Sequence, residues 1–195
     1  MKILLSYPTE VHQEIDVAKS FLKIESNIFH LRRYDSSEDE VVQFLNPFTE
    51  KERKQLVLNH HHFLASEFGI NRLHFSENER LEIGDEKLEK LHSYGFILST
   101  SVHSVEDFQK LNDVFEYAFL SPVFDSISKE NYKAVSFDLN NVRKDIKLIA
   151  LGGITVENYN DALNLGFGGV AFLGGVWKQE NPNEIVRNLV PLQSD

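Results

Sequence analysis

The chain contains no cysteine among its 195 residues. That excludes disulfides, a thiolate nucleophile and any cysteine-ligated metal. No apolar run approaches the ~20 residues that a membrane-spanning helix needs. The opening Met1-Lys-Ile-Leu-Leu-Ser-Tyr-Pro8 has too short an apolar part for a secretory signal and lacks a small-residue cleavage site. A cytoplasmic location without a membrane partner is therefore expected. Positive charge is scarce as well, with 20 Lys and Arg against 30 Asp and Glu and a net charge of −10. A surface of that sign cannot displace the counterions of nucleic acid, so a nucleic-acid partner is not expected. An anionic small molecule is still allowed, because a few cationic groups can make a local positive pocket inside an acidic shell. The G-x-G-x-x-G turn of dinucleotide-binding sheets is missing, as are linkers and low-complexity segments. A single domain over residues 1–195 is the organisation this length favours.

What the chain does have is a repeating alternation of short apolar runs and amphipathic stretches. Eight strands are expected, at Lys2–Tyr7, Asn27–Arg33, Gln55–Asn59, Arg72–Ser76, Ile97–Ser101, Tyr117–Ser121, Lys147–Gly152 and Gly169–Gly174. Helices are expected between them. Thr9 precedes Val11, Ile15, Ala18 and Leu22 at helical spacing, and Ser37 with Glu40 forms an S-x-x-E capping box. Ser104 precedes an acidic first turn, Thr155 opens a helix that Gly166 ends, and Asp85–Leu91 is a short, highly charged helix. Strands alternating with helices imply a parallel sheet, and eight such units imply closure into a (β/α)₈ TIM barrel of class α/β.

Such barrels work at the C-terminal ends of their strands. Those ends read His30 and Arg32, Asn59 and His60, Ser76 and Glu77, Ser101 and His103, then Ser121, Gly152 and Gly174. The loop Pro122-Val-Phe-Asp-Ser126-Ile-Ser128-Lys129 adds a cation and two hydroxyls, and two glycine-punctuated strand ends follow. Lysine supplies charge, hydroxyls orient oxygens, and glycine lets backbone N–H groups approach, which together suit a phosphate ester. Arg32 has the forked geometry for phosphate, whereas Arg33 alternates to the opposite face and is expected to pair with an acidic neighbour. His60-His61-His62 cannot share one ion, since adjacent side chains diverge and the spacing is neither H-x-x-x-H nor H-E-x-x-H. A helix start with one inward histidine is expected there, with His60 the candidate to touch substrate or exchange protons. His103 is a second acid–base candidate or an organiser of its turn, and His30 is either an inward core histidine or a ligand contact. Trp177 and Phe172 are expected to be packing residues.

These motifs together resemble the thiamine phosphate synthase and thiazole tautomerase superfamily. The Pro122–Lys129 loop looks like its P-[IV]-[FY]-x-[ST]-x-[ST]-K loop. Ser101-Val-His-Ser104, Leu151-Gly-Gly-Ile154 and Gly169-Val-Ala-Phe-Leu-Gly174 follow in order, and His30-Leu-Arg32 and Leu58-Asn59 resemble its Q-x-R-x-K strand and N-D turn. The resemblance implies a transferase that joins hydroxymethylpyrimidine diphosphate to a thiazole phosphate, giving thiamine phosphate and pyrophosphate with Mg²⁺. It implies that Arg32, Asn59, Ser101 and Lys129, with Ser126 and Ser128, hold the diphosphate. Gly153, Leu173 and Gly174 would offer amides to the thiazole phosphate. Glu79 falls at a metal carboxylate on spacing, while His60 stands where the other metal carboxylate belongs, and histidine is a poor Mg²⁺ ligand. The glutamine and lysine of Q-x-R-x-K are replaced by His30 and Tyr34. A tautomerase would carry a histidine where this chain has Pro122, so His60 and Pro122 point to different branches. A metal-independent tautomerase and a non-catalytic binder of thiazole phosphate are the alternative readings, and a homo-oligomer is left open.

Overall fold

The computed structural model describes residues 1–125 and 134–189. Eight parallel strands form a closed barrel in chain order: β1 Lys2–Leu5, β2 Asn27–Leu31, β3 Leu56–Leu58, β4 Arg72–Phe75, β5 Ile97–Val102, β6 Phe115–Leu120, β7 Lys147–Ala150 and β8 Gly169–Phe172. Closure is made by β8 pairing with β1, Lys2 to Val170 and Leu4 to Phe172. All eight expected strands are present; seven end one or two residues early as the chain turns into its loops, and β5 runs one residue past its expected end.

Alternation along each strand creates two cores. Ile3, Leu5, Ile28, Val57, Tyr117, Phe119, Ile149 and Ala171 fill the barrel interior. Leu4, Phe29, Leu31, Leu58, Leu73 and Leu98 point outward and pack under the helices. The outer core is rich in aromatic groups. Phe29 on β2 stacks on Phe44 of α2 (Glu38–Leu45) with ring centroids 5.9 Å apart, and Phe21 of α1 (Glu14–Phe21) is fully buried. Truncating a buried phenylalanine of this kind to alanine costs about 3–5 kcal/mol.

The helix starts follow local chemistry. The Ser37 and Glu40 side chains each bond the other's backbone N–H, the capping box expected from sequence, and α3 (Glu50–Arg53) repeats it with Thr49 and Glu52. A third box, Ser76 with Glu79, opens α4 (Glu77–Ile83), after which Gly84 leads into α5 (Asp85–Ser93). Ser104 caps α6 (Val105–Gln109) through the Asp107 N–H. Two starts differ from expectation. α1 begins at Glu14 rather than after Thr9, following Gln13 at φ 63°, so Val11 lies in the preceding turn. α7 (Tyr159–Asn164) begins after Asn158 rather than Thr155. Asn158 instead clamps the preceding loop, accepting from the Thr155 N–H and donating to the Gly153 carbonyl, each at 2.8 Å. Gly166 ends that connection at φ 103°, as expected. The short α8 (Gly174–Trp177) leaves β8, and α9 (Pro182–Leu189) packs against α1. The Trp177 indole N–H donates to the Leu5 carbonyl at 2.6 Å, which confirms it, with fully buried Phe172, as a packing residue.

Candidate active site

A cavity of about 380 Å³ opens at the C-terminal mouth of the barrel. Arg32, Asn59, Ser76, Glu77, Ser101, His103, Ser121, Gly152 and Gly174 all line it, so nine of the eleven strand-end residues named from sequence converge there. Gly153 and Leu173 line it too. Ser126, Ser128 and Lys129 lie outside the described residues.

Arg32 follows β2, and its backbone N–H donates to the Ser6 hydroxyl at 2.8 Å, which ties the β1 and β2 ends together. Its guanidinium lies 5.5 Å from the Tyr34 ring centroid, a cation–π contact on the cavity wall. Arg33 turns the other way and forms a buried ion pair with Glu14, the acidic neighbour expected of it. Burial raises the Glu14 carboxyl to about 6, with Arg33 opposing. His103 donates through Nδ1 to the Ser121 carbonyl at 3.3 Å, joining the β5 and β6 ends while its ring borders the cavity.

On the opposite wall, Gly152 and Gly153 have φ of 97° and 67°. A Cβ on Gly153 would sit 2.5 Å from the Asp125 carbonyl oxygen and 2.7 Å from Phe124 Cβ. Only glycine lets this loop lie against the Pro122 segment. Leu173, Gly174 and Gly175 bring the first N–H groups of α8 to the cavity, where the helix offers them no partner.

Three site residues named from sequence, His60, Glu79 and His30, do not line this cavity. His60 and Glu79 line an adjoining depression with His61, His62 and Phe63, and His60 Nδ1 stands 3.8 Å from Glu79 Oε1. The inward member of the histidine run is His62, whose Nε2–H donates to the His74 carbonyl at 3.0 Å. His61 takes the left-handed conformation at φ 51°, and this turn rotates His60 outward, leaving its side chain 46% exposed. Glu79 Oε2 is occupied by the Ser76 N–H at 2.8 Å and the Ser76 hydroxyl at 2.6 Å. Among the described residues no group of three or more His, Asp or Glu converges as metal ligands. With Glu79 Oε2 committed to its helix cap and His60 in place of a carboxylate, the pair named from sequence does not form a two-carboxylate Mg²⁺ site.

His30 is fully buried and satisfied, with Nδ1 2.9 Å from Asn59 Oδ1 and Nε2 2.6 Å from the Tyr117 hydroxyl. Burial pushes its pKa down to about 3, so the ring is neutral. It supports Asn59 from below and does not line the cavity. Sequence reasoning missed His74, which does line it and is bonded through Nδ1 to Ser99 and through Nε2 to Ser101. The signal was available in β4, where His74 alternates with outward Leu73 and Phe75. Burial holds His74 well below the usual imidazole range, helped by nearby His30, His62 and Arg32.

A closed parallel barrel whose polar cavity sits at the strand C-termini defines a (β/α)₈ enzyme. Residues 4–176 match the family model described as thiamine monophosphate synthase, and the chain belongs to that family, whose members are transferases. The thiamine-phosphate synthase of Chlorobium luteolum is 26% identical over 200 residues, covering 98% of this chain and 93% of that protein. The thiamine-phosphate synthase of Leptospira biflexa is 34% identical over 98 residues, 45% of this chain and 46% of that protein. In fold, the thiamine phosphate pyrophosphorylase of Bacteroides thetaiotaomicron superposes with a TM-score of 0.71 at 22% identity, covering 97% of this chain and 94% of that one.

Proposed function

We propose that this protein joins hydroxymethylpyrimidine diphosphate to thiazole phosphate, forming thiamine phosphate and pyrophosphate. The observation that carries the reading is the convergence of Arg32, Asn59 and the Gly153–Gly174 wall on one cavity in a chain of this family. In the reaction the bond between the pyrimidine methylene carbon and the diphosphate oxygen breaks. Pyrophosphate leaves with the electron pair, and the thiazole nitrogen then bonds to that carbon. No nucleophilic side chain is required. The protein must align two rings and stabilise charge growing on the leaving oxygen.

Arg32 is the described cation for that charge, and Lys129, Ser126 and Ser128 would complete the diphosphate side. The N–H groups of Gly153, Leu173 and Gly174 would hold the thiazole phosphate across the cavity, as the β7–α7 and β8–α8 loops do in phosphate-binding barrels. Phe119 and Leu151 supply apolar surface between the two halves. His103, at the rim, is placed to exchange protons with solvent-facing groups, while His60 faces the adjoining depression. Mg²⁺ would be held chiefly by the diphosphate and water, since His60 and the capped Glu79 do not supply a carboxylate pair.

The test is formation of thiamine phosphate from both substrates by the purified chain, with and without added Mg²⁺. Product above the uncatalysed background supports the reading. A folded protein that yields none under either condition removes it.

A further inference from the structure

Beneath the cavity, six polar side chains form one buried row, and its two ends, Asn59 and Ser101, both line the cavity. Strand register builds it. Pairing places His74 beside Ser99 and Ser99 beside Tyr117, and a register shift between Leu98 and Ser99 brings the last two level. The contacts run Asn59–His30 at 2.9 Å, His30–Tyr117 at 2.6 Å, His74–Ser99 at 3.0 Å and His74–Ser101 at 3.1 Å. The Ser99 hydroxyl donates to the Leu73 carbonyl at 3.4 Å, and Tyr117 is its cross-strand neighbour.

The donors and acceptors allow one direction of travel. A neutral imidazole has one N–H, and both histidines are buried and uncharged. Asn59 Oδ1 only accepts, so His30 carries its proton on Nδ1 and its bare Nε2 takes the Tyr117 proton. Tyr117 then has no second proton for Ser99, and the Leu73 carbonyl has none at all. Ser99 therefore donates its one proton to the Leu73 carbonyl and accepts from His74 Nδ1–H. His74 Nε2 is bare in turn, and it takes the proton of Ser101.

We propose that His74 is a positioning residue that holds Ser101 as a hydrogen-bond acceptor toward the cavity, while the same chain leaves Asn59 its amide N–H₂ to donate. A phosphate oxygen then suits Asn59 and not Ser101, because two acceptors would face each other without a proton. Ser101 instead receives an N–H of the substrate, the exocyclic amine of the pyrimidine. This last step rests on the proposed substrate, whereas the direction of the chain does not.

Two measurements separate these parts. Long-range ¹H–¹⁵N spectra of the full chain labelled with ¹⁵N-histidine, assigned through His30→Gln and His74→Gln, report the tautomers without substrate. Both rings are expected as the neutral Nδ1–H tautomer at pH 7. An Nε2–H tautomer at His74, or a protonated His74 ring at pH 7, overturns the proposal. Calorimetry on Ser101→Ala then probes the ligand side. Inorganic pyrophosphate should bind within about twofold of wild type, while hydroxymethylpyrimidine diphosphate should weaken by about five- to tenfold, the range of one lost hydrogen bond. Equal weakening of both ligands would return Ser101 to the diphosphate and overturn the assignment. Wild-type protein that binds neither ligand would remove the proposed substrate, and with it the amine contact, while the tautomer result stands by itself.

Discussion

Lowering the pH from 7 to 5 should destabilise this protein through His30, and the size of the effect follows from its burial. The folded pKa is depressed to about 3 by desolvation, against 6.5 for an ordinary imidazole. A base with a depressed folded pKa lets the unfolded chain bind the extra proton, so stability falls as pH drops below 6.5 and stops falling only near 3. At pH 5 the unfolded imidazole is almost fully protonated and the folded one is not, which amounts to about 2 kcal/mol lost relative to pH 7, at 1.36 kcal/mol per unit. His74 acts in the same direction. Glu14 acts oppositely, because its raised folded pKa makes the native state the better proton binder between about 4.5 and 6. A variant isolates the His30 part. In His30→Gln an amide can still donate toward Asn59 and accept from Tyr117, but cannot titrate. Urea unfolding of both proteins at pH 7 and pH 5 should show wild type losing about 2 kcal/mol more than the variant over that interval. Equal losses would refute the reasoning, since His30 would then be solvated or protonated in the folded state.

Gly153→Ala should cost at least about 1–2 kcal/mol from the left-handed backbone alone. The clash with Asp125 and Phe124 adds to this, and calorimetry should show thiazole phosphate binding lost while pyrophosphate binding remains. Arg32→Ala should weaken pyrophosphate by about 1.5–3 kcal/mol, the value of a charge-assisted hydrogen bond; an unchanged dissociation constant would place Arg32 outside the site. Lys129→Ala should weaken a phosphorylated ligand by a similar ~1.5–3 kcal/mol, and calorimetry that finds no change would remove it from the loop's proposed role. Trp177→Phe should cost about 1–3 kcal/mol in denaturant melts, because the buried Leu5 carbonyl loses its donor.

The eight strands, the capping boxes at Ser37 and Thr49, and most of the cavity wall were readable along the chain, although only the first box was named in advance. Their causes are local: period-two alternation, a hydroxyl three residues before a glutamate, and glycines where the backbone needs positive φ. Barrel geometry then carries each strand end to one face, which is why Arg32, Asn59, Ser101, His103, Gly153 and Gly174 meet.

Sequence alone could determine the barrel, the family and the identity of the residues that reach its mouth, because those depend on periodicity and motif spacing. Tertiary structure decided how they divide. The left-handed turn at His61 swings His60 out, and the cap on α4 takes Glu79, so neither reaches the main cavity. Sheet register puts His74, Ser99 and Tyr117 in one buried row, and only that row sets which way the protons of Ser101 and Asn59 point. Hydrogen-bond direction belongs to a network closed in space, and residues more than eighty positions apart, His30 and Tyr117 among them, must meet before it exists.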